Sequence, residues 1–143
     1  MNGLSIAILG GGNMGGALIG GLIGRGASPA SIAVGEARDA QRNALARDFG
    51  VRVYADNAAA IEGAQVVILA VKPQDAAAAL TSIAAQLPAP RPLLLSVAAG
   101  VRVSALQRVC GRAIPIVRAM PNRPALVGAG VTGLFAPADV APE

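Results

Sequence analysis

The sequence predicts an α/β fold, a doubly wound and mostly parallel sheet with helices on both faces. Three observations carry that prediction. Short apolar runs alternate with longer stretches of helical spacing, the pattern of successive βαβ units. Of the 143 residues, 54% are hydrophobic and only 2% aromatic, so the core must be built from Ala, Val, Ile and Leu, as suits strands buried on both faces. The length fits one domain whose core needs no disulfide or metal to hold it. Charged residues are only 14%, which excludes intrinsic disorder.

Each element follows from local chemistry. Leu4 to Leu9 reads as the first strand. Asn13 to Arg25 follows as a helix, with Met14, Ala17, Leu18, Gly21 and Leu22 at helical spacing. Ser28-Pro29 breaks the chain before a short strand from Ser31 to Val34. Asp39 to Phe49 disperses its charges as a surface helix does, and Gly50 sits where a helix-ending glycine belongs. Val51 to Tyr54 is a third strand and Asn57 to Glu62 a short helix. Gln65 to Val71 is the most buried-looking strand, and Pro73 opens a helix running to about Gln86. After the proline-rich loop from Pro88 to Pro92 come a strand from Leu93 to Val97 and a helix from Val103 to Cys110 ended by Gly111. A strand from Ile114 to Arg118 and a last one from Val131 to Phe135 precede a loop-like tail, Ala136 to Glu143.

Several chemistries are excluded. The chain has no histidine and one cysteine, so it holds no Ser-His-Asp triad, no imidazole proton shuttle and no cysteine or histidine metal site. Cys110 reads as a small apolar residue, nothing requires an oxidising compartment, and a cytoplasmic location is expected. The net charge is +4, but the arginines are scattered singly between Arg25 and Arg123 with almost no aromatics to stack bases, which argues against nucleic acid. Met1 to Gly24 carries no charge, yet glycines interrupt it throughout and no basic segment precedes it. It is neither a signal peptide nor a membrane span, which needs ~18 continuous apolar residues.

The glycines have another explanation. Gly10, Gly12 and Gly15 form G-x-G-x-x-G directly after the first strand and at the opening of a helix. In a Rossmann-type site the first glycine makes the tight turn and the second lets backbone approach a pyrophosphate. The third packs the helix on the strand, whose amides then face the phosphate charge. Such a site expects an acidic residue ~20 positions on to bind the ribose of NAD, and Glu36 stands there. Arg38 could instead hold the 2′-phosphate of NADP, so the two residues point in opposite directions; either could also be a solvated loop charge. Lys72, the chain's one lysine, follows the buried strand at the carboxyl edge where ligands of open sheets bind. A solvated loop lysine is the simpler alternative. Ser96 to Gly100 leaves another strand at that edge with small side chains, suited either to a flat ring or to a tight turn.

These segments, ILGGGNMGGALIGGL at the start, AVKPQ at Ala70 to Gln74, SVAAGV at Ser96 to Val101 and VRAMPNRPALVGAGVTGLFA at Val117 to Ala136, give the chain its family likeness. It resembles the N-terminal domain of the pyrroline-5-carboxylate reductases over essentially its whole length. The resemblance implies that Leu9, Gly10, Gly11, Gly12, Asn13 and Met14, then Ala70, Val71, Lys72 and Pro73, then Val97, Ala98 and Ala99, bind a nicotinamide dinucleotide, NADP(H) or NAD(H). Glu36 and Asn57 fall on its phosphate side, and Asn122 lies near the substrate. The implied reaction is hydride transfer to the C=N bond of a cyclic imino acid, giving L-proline. No residue is assigned as the catalytic acid. Two positions depart from the family pattern: Arg123 stands where Thr or Ser is usual, and Glu36 where a small polar residue or Asn is common. The resemblance further implies that residues 1–143 are the nucleotide-binding domain alone, short of its final helix and strand, with the helical domain for dimerisation and substrate lying outside it. It implies too that the whole enzyme is a homo-oligomer and that the isolated chain turns over little or no substrate. Two alternatives stay open: a β-hydroxyacid-type NAD(P)-dependent dehydrogenase, and a dinucleotide-binding module without catalysis.

Overall fold

The computed structural model describes residues 3–110, 114–122, 124, 129–138 and 140. Gly111, Arg123 and part of the tail lie outside the described residues. The elements alternate as the apolar pattern predicts: β1 (Ile6–Leu9), α1 (Asn13–Gly24), β2 (Ile32–Gly35), α2 (Asp39–Phe49), β3 (Arg52–Tyr54), α3 (Asn57–Ala60), β4 (Val66–Leu69), α4 (Ala76–Thr81), β5 (Leu93–Ser96), α5 (Val103–Cys110), β6 (Ile116–Pro121) and β7 (Thr132–Phe135).

The strands form one sheet in the order β3-β2-β1-β4-β5-β6-β7. The first six are parallel, and β7 pairs antiparallel with β6, Arg118 opposite Phe135. This is the doubly wound order, with its reversal between β1 and β4. Residue alternation explains why apolar side chains fill every position of β1. Ile6 and Ile8 join Ile19, Ile32, Val34 and Leu45 on the face covered by α1 and α2. Ala7 and Leu9 join Val67, Leu69, Leu80 and Leu106 on the face covered by α4 and α5. A strand buried on both sides has no polar face to show. Cys110 lies in the second of these clusters, where burial pushes its thiol pKa up, as a packed apolar cysteine requires.

Gly50 ends α2 in the left-handed region at φ 69°, its N–H bonded to Ala46. The segment after Pro73 differs from the sequence expectation of one helix to about Gln86. It opens as a 3₁₀ turn, with the Asp75 N–H bonded to the Lys72 carbonyl at 2.9 Å, and α4 stops at Thr81. The hydroxyls of Thr81 and Ser82 donate to the carbonyls of Ala77 and Ala79 at 2.8 and 2.7 Å, and such bonds compete with the helix ladder. Beyond them Ile83 and Gln86 bond three residues back, to Leu80 and Ile83. At the other end of the sheet, β6 continues past Arg118 to Pro121 because β7 lies alongside it. Among the described residues, no helix is long and apolar enough to cross a membrane.

Candidate functional site

At the reversal between β1 and β4 the chain turns away from the sheet on both sides, leaving a cleft of 590 Å³ at the carboxyl edge of the strands. Ligands of open α/β sheets bind at this kind of position. The three motif glycines divide cleanly there. Gly10 adopts φ 97°, and a Cβ on it would lie 2.8 Å from the Ala70 carbonyl oxygen. A Cβ on Gly15 would strike the Gly10 carbonyl oxygen. Both glycines are demanded by the protein's own packing. Gly12 lies between them, lines the cleft, and its Cβ would meet nothing within 4 Å. The protein's own packing therefore does not call for a glycine there. Gly12 is also the N-cap of α1, with no side chain capping the helix, so the first-turn amides and the positive end of the helix dipole are offered to an anion. A dinucleotide pyrophosphate fits this cradle.

Gly11 faces the other way, into the β2–α2 unit. Its N–H donates to Glu36 Oε2 at 3.0 Å, its carbonyl accepts from Gln41 Nε2 at 2.6 Å, and it packs on the end of the Leu45 side chain. Glu36 is 7% exposed. Its second oxygen accepts from the Arg38 N–H at 3.0 Å, and the Arg38 guanidinium bridges both oxygens at 2.9 and 3.2 Å. The guanidinium holds the Glu36 carboxyl below the usual carboxylate range, outweighing burial, with the Arg38 and Gly11 amides adding to the effect. The two residues that the sequence sets in opposition thus form one ion pair, with the Arg38 side chain 66% exposed beside the cleft. Arg42 fixes the same turn: its Nη1 donates to the carbonyls of Glu36 and Ala37, both at 2.7 Å, and its Nη2 pairs with Asp39.

Of the residues that the sequence singles out, Gly10, Gly12, Glu36, Arg38, Asn57, Ala70, Val71 and Lys72 line the cleft. Asn57 donates to Ser82 Oγ at 3.2 Å and lies against Gly35, where a Cβ would collide with its Oδ1. Leu9 and Gly15 are buried beneath the loop, and Asn13 and Met14 begin α1. Pro73 starts the turn behind Lys72. Val97, Ala98 and Ala99 follow β5 at the same sheet edge without lining the cleft; the Val97 N–H bonds to Leu69 at 3.1 Å, and Ala98 is buried. Asn122 ties the β6–β7 hairpin, its N–H and Oδ1 both bonded to Val131, at 3.2 and 3.0 Å. Sequence reasoning missed Asp75, Ala78, Ala79 and Ser82, which form one wall. Their spacing of three, four and seven residues, one face of a helix, was the available signal. It also missed Gln41, which nothing but its place in the first turn of α2 marks. Among the described residues, no group of three or more His, Cys, Asp or Glu could hold a metal ion.

Fold and cleft together define a Rossmann-type domain with an anion-receptive glycine turn at its switch point. The chain belongs to the family described as NADP oxidoreductase, coenzyme F420-dependent, whose model matches residues 5–100. It is similar to the pyrroline-5-carboxylate reductase of Pseudomonas aeruginosa, 42% identical over 135 residues that make up 94% of this chain and 49% of that protein. Among solved structures, a pyrroline-5-carboxylate reductase from Coxiella burnetii superposes with a TM-score of 0.93 at 36% identity, covering 99% of this chain and 52% of that one. A Plasmodium falciparum pyrroline carboxylate reductase with NADP bound shares the fold, with a TM-score of 0.85 at 24% identity over 99% of this chain and 51% of that one. The resemblance read from the sequence motifs agrees with all three. The chain spans about half the length of the curated relatives it matches.

Proposed function

We propose that the cleft binds NADP(H) or NAD(H) and that the chain is the nucleotide-binding part of a pyrroline-5-carboxylate reductase. The observation that carries this is the open Gly12 between two glycines closed by packing. It supports a site shaped for backbone contact with a pyrophosphate. Gly10 to Gly15 and the first turn of α1 would hold the diphosphate. Glu36, Arg38 and Asn57 would meet the adenosine side, and Ala70 to Pro73 with Val97 to Ala99 the nicotinamide side. When bound, the reduced nicotinamide would supply the hydride to the C=N carbon of 1-pyrroline-5-carboxylate, and the imine nitrogen takes one proton from a donor not assigned to this chain, giving the amine of L-proline. The chain's own part is to orient and to exclude water. Lys72, at the end of β4 and in the cleft wall, is assigned to cofactor positioning and not to proton transfer. Asn122 is proposed to lie near the substrate, and the whole enzyme to be a cytoplasmic homo-oligomer.

The test is NADPH consumption with 1-pyrroline-5-carboxylate by the whole enzyme that carries this domain, beside parallel assays with β-hydroxy acids and NADP. One proline formed per NADPH consumed is the expected result. Turnover of the β-hydroxy acids alone would overturn the substrate assignment, and cofactor binding with no turnover would leave a binding module.

A further inference from the structure

Gln41 occupies the third position of α2, after the N-cap Arg38. A glutamine there ordinarily reaches back to the N–H of the N-cap residue, completing a capping box. That partner is already taken, because the Arg38 N–H donates to Glu36 Oε1 at 3.0 Å. Gln41 instead crosses to the glycine loop, its Nε2 donating to the Gly11 carbonyl at 2.6 Å. The same glycine is held from its other side by Glu36 Oε2 on its N–H at 3.0 Å. The two peptide units flanking Gly11 are therefore both fixed by the β2–α2 segment.

The geometry of the second unit has a consequence for the cleft. In a planar trans peptide the C=O and the N–H point to opposite sides. The Gly11 carbonyl and the Gly12 N–H belong to one peptide unit, so drawing the carbonyl toward α2 turns the Gly12 N–H away from α2. Gly12 lines the cleft and has open space around it. We infer that Gln41 is a positioning residue for the diphosphate: by holding the Gly11 carbonyl it aims the Gly12 N–H at the bound anion. Without it this peptide unit can flip, bringing a carbonyl toward the phosphate where a donor is needed. A glycine-rich loop offers little steric resistance to such a flip, so a side chain has to supply the restraint. The inference rests on the cleft being a dinucleotide site.

The experiment compares the parent chain with Gln41→Met, which keeps length and volume and removes the donor, and with Gln41→Glu, which replaces the donor by an acceptor. Three quantities are read: NADPH affinity by calorimetry, melting temperature, and the NMR resonance of the Gly12 amide. Gln41→Met should weaken NADPH by about five- to tenfold, the worth of one hydrogen bond, and Gln41→Glu by more. Both should displace the Gly12 amide resonance of the free protein while leaving the melting temperature close to that of the parent. Unchanged NADPH affinity in either folded variant would overturn the inference. So would a loss that follows the melting temperature while the Gly12 resonance stays in place, since that is mere destabilisation of α2. A parent chain that binds neither NADPH nor NADH would instead refute the dinucleotide reading itself.

Discussion

A single methyl group separates the roles of neighbouring glycines in α1. Alanine is favoured over glycine in a helix interior by ~1 kcal/mol. At Gly16, where a Cβ meets nothing within 4 Å, Gly16→Ala should raise stability by about that amount. At Gly15 the added carbon strikes the Gly10 carbonyl oxygen, a backbone atom with no flexible end to swing aside. There an overpacking cost of ~1–3 kcal/mol should reverse the sign. Urea unfolding of the two variants side by side checks this, and equal shifts would refute it. The Glu36–Arg38 pair carries a different prediction. Arg38→Ala should lower the affinity for NADPH relative to NADH, and Glu36→Ser should raise it, each ratio moving by roughly tenfold. Because Glu36 also accepts the Gly11 N–H, Glu36→Ser should in addition weaken both cofactors together. Unaltered affinity ratios in both variants would mean that neither side chain meets the ribose. The same carboxyl has a pH signature. Its pKa is lowered on folding, so its contribution to stability is present above the ordinary glutamate value of ~4.3 and is lost as pH falls through the lower folded value. Acid titration of Glu36→Gln should lack that component of the stability loss.

At the scale of elements, α2 does more than cover the sheet. Leu45, 2% exposed, packs into the core beside Ile8 and Ile19 and also backs Gly11. Leu45→Ala should cost ~2–5 kcal/mol of stability and should weaken cofactor binding by loosening the loop. Chemical denaturation with and without NADPH measures both effects. Most elements were legible because short, continuous apolar runs buried on both faces alternate with longer stretches of helical spacing, and because Gly50 and Pro73 mark real boundaries. The end of α4 was not. Thr81 and Ser82 are compatible with a continued helix by composition; the change shows in the bonds that Ile83 and Gln86 make three residues back, beyond the hydroxyl bonds to Ala77 and Ala79. The wall that Ser82 shares with Asp75, Ala78 and Ala79 was signalled by helical spacing, but its meeting with Asn57, 25 residues away in sequence, was not. The Gln41 contact spans 30 residues, and no local pattern announces it. Gly10, Gly12 and Gly15 were legible because close backbone approach can be met by one residue type alone.

For the whole molecule, the strand order turns a linear motif into a site. Crossing from β3 to β2 to β1 and then out to β4 and β5 brings Gly12, Arg38, Asn57 and Lys72 to one sheet edge, although they are spread over 60 residues of sequence. The fully apolar β1 and β4 at the centre allow this, since helices cover both of their faces and leave the strand ends open. The central claim is that Gly12 is left open for a ligand and not for the fold. Calorimetric titration of NADPH into the parent chain and into Gly12→Val tests it most directly. The valine meets no protein atom within 4 Å at its Cβ, so the variant should melt with the parent, while its side chain fills the space where backbone would meet pyrophosphate. The predicted result is binding of one NADPH per parent chain and none to the folded variant. A folded Gly12→Val protein that binds NADPH as tightly as the parent would contradict the account.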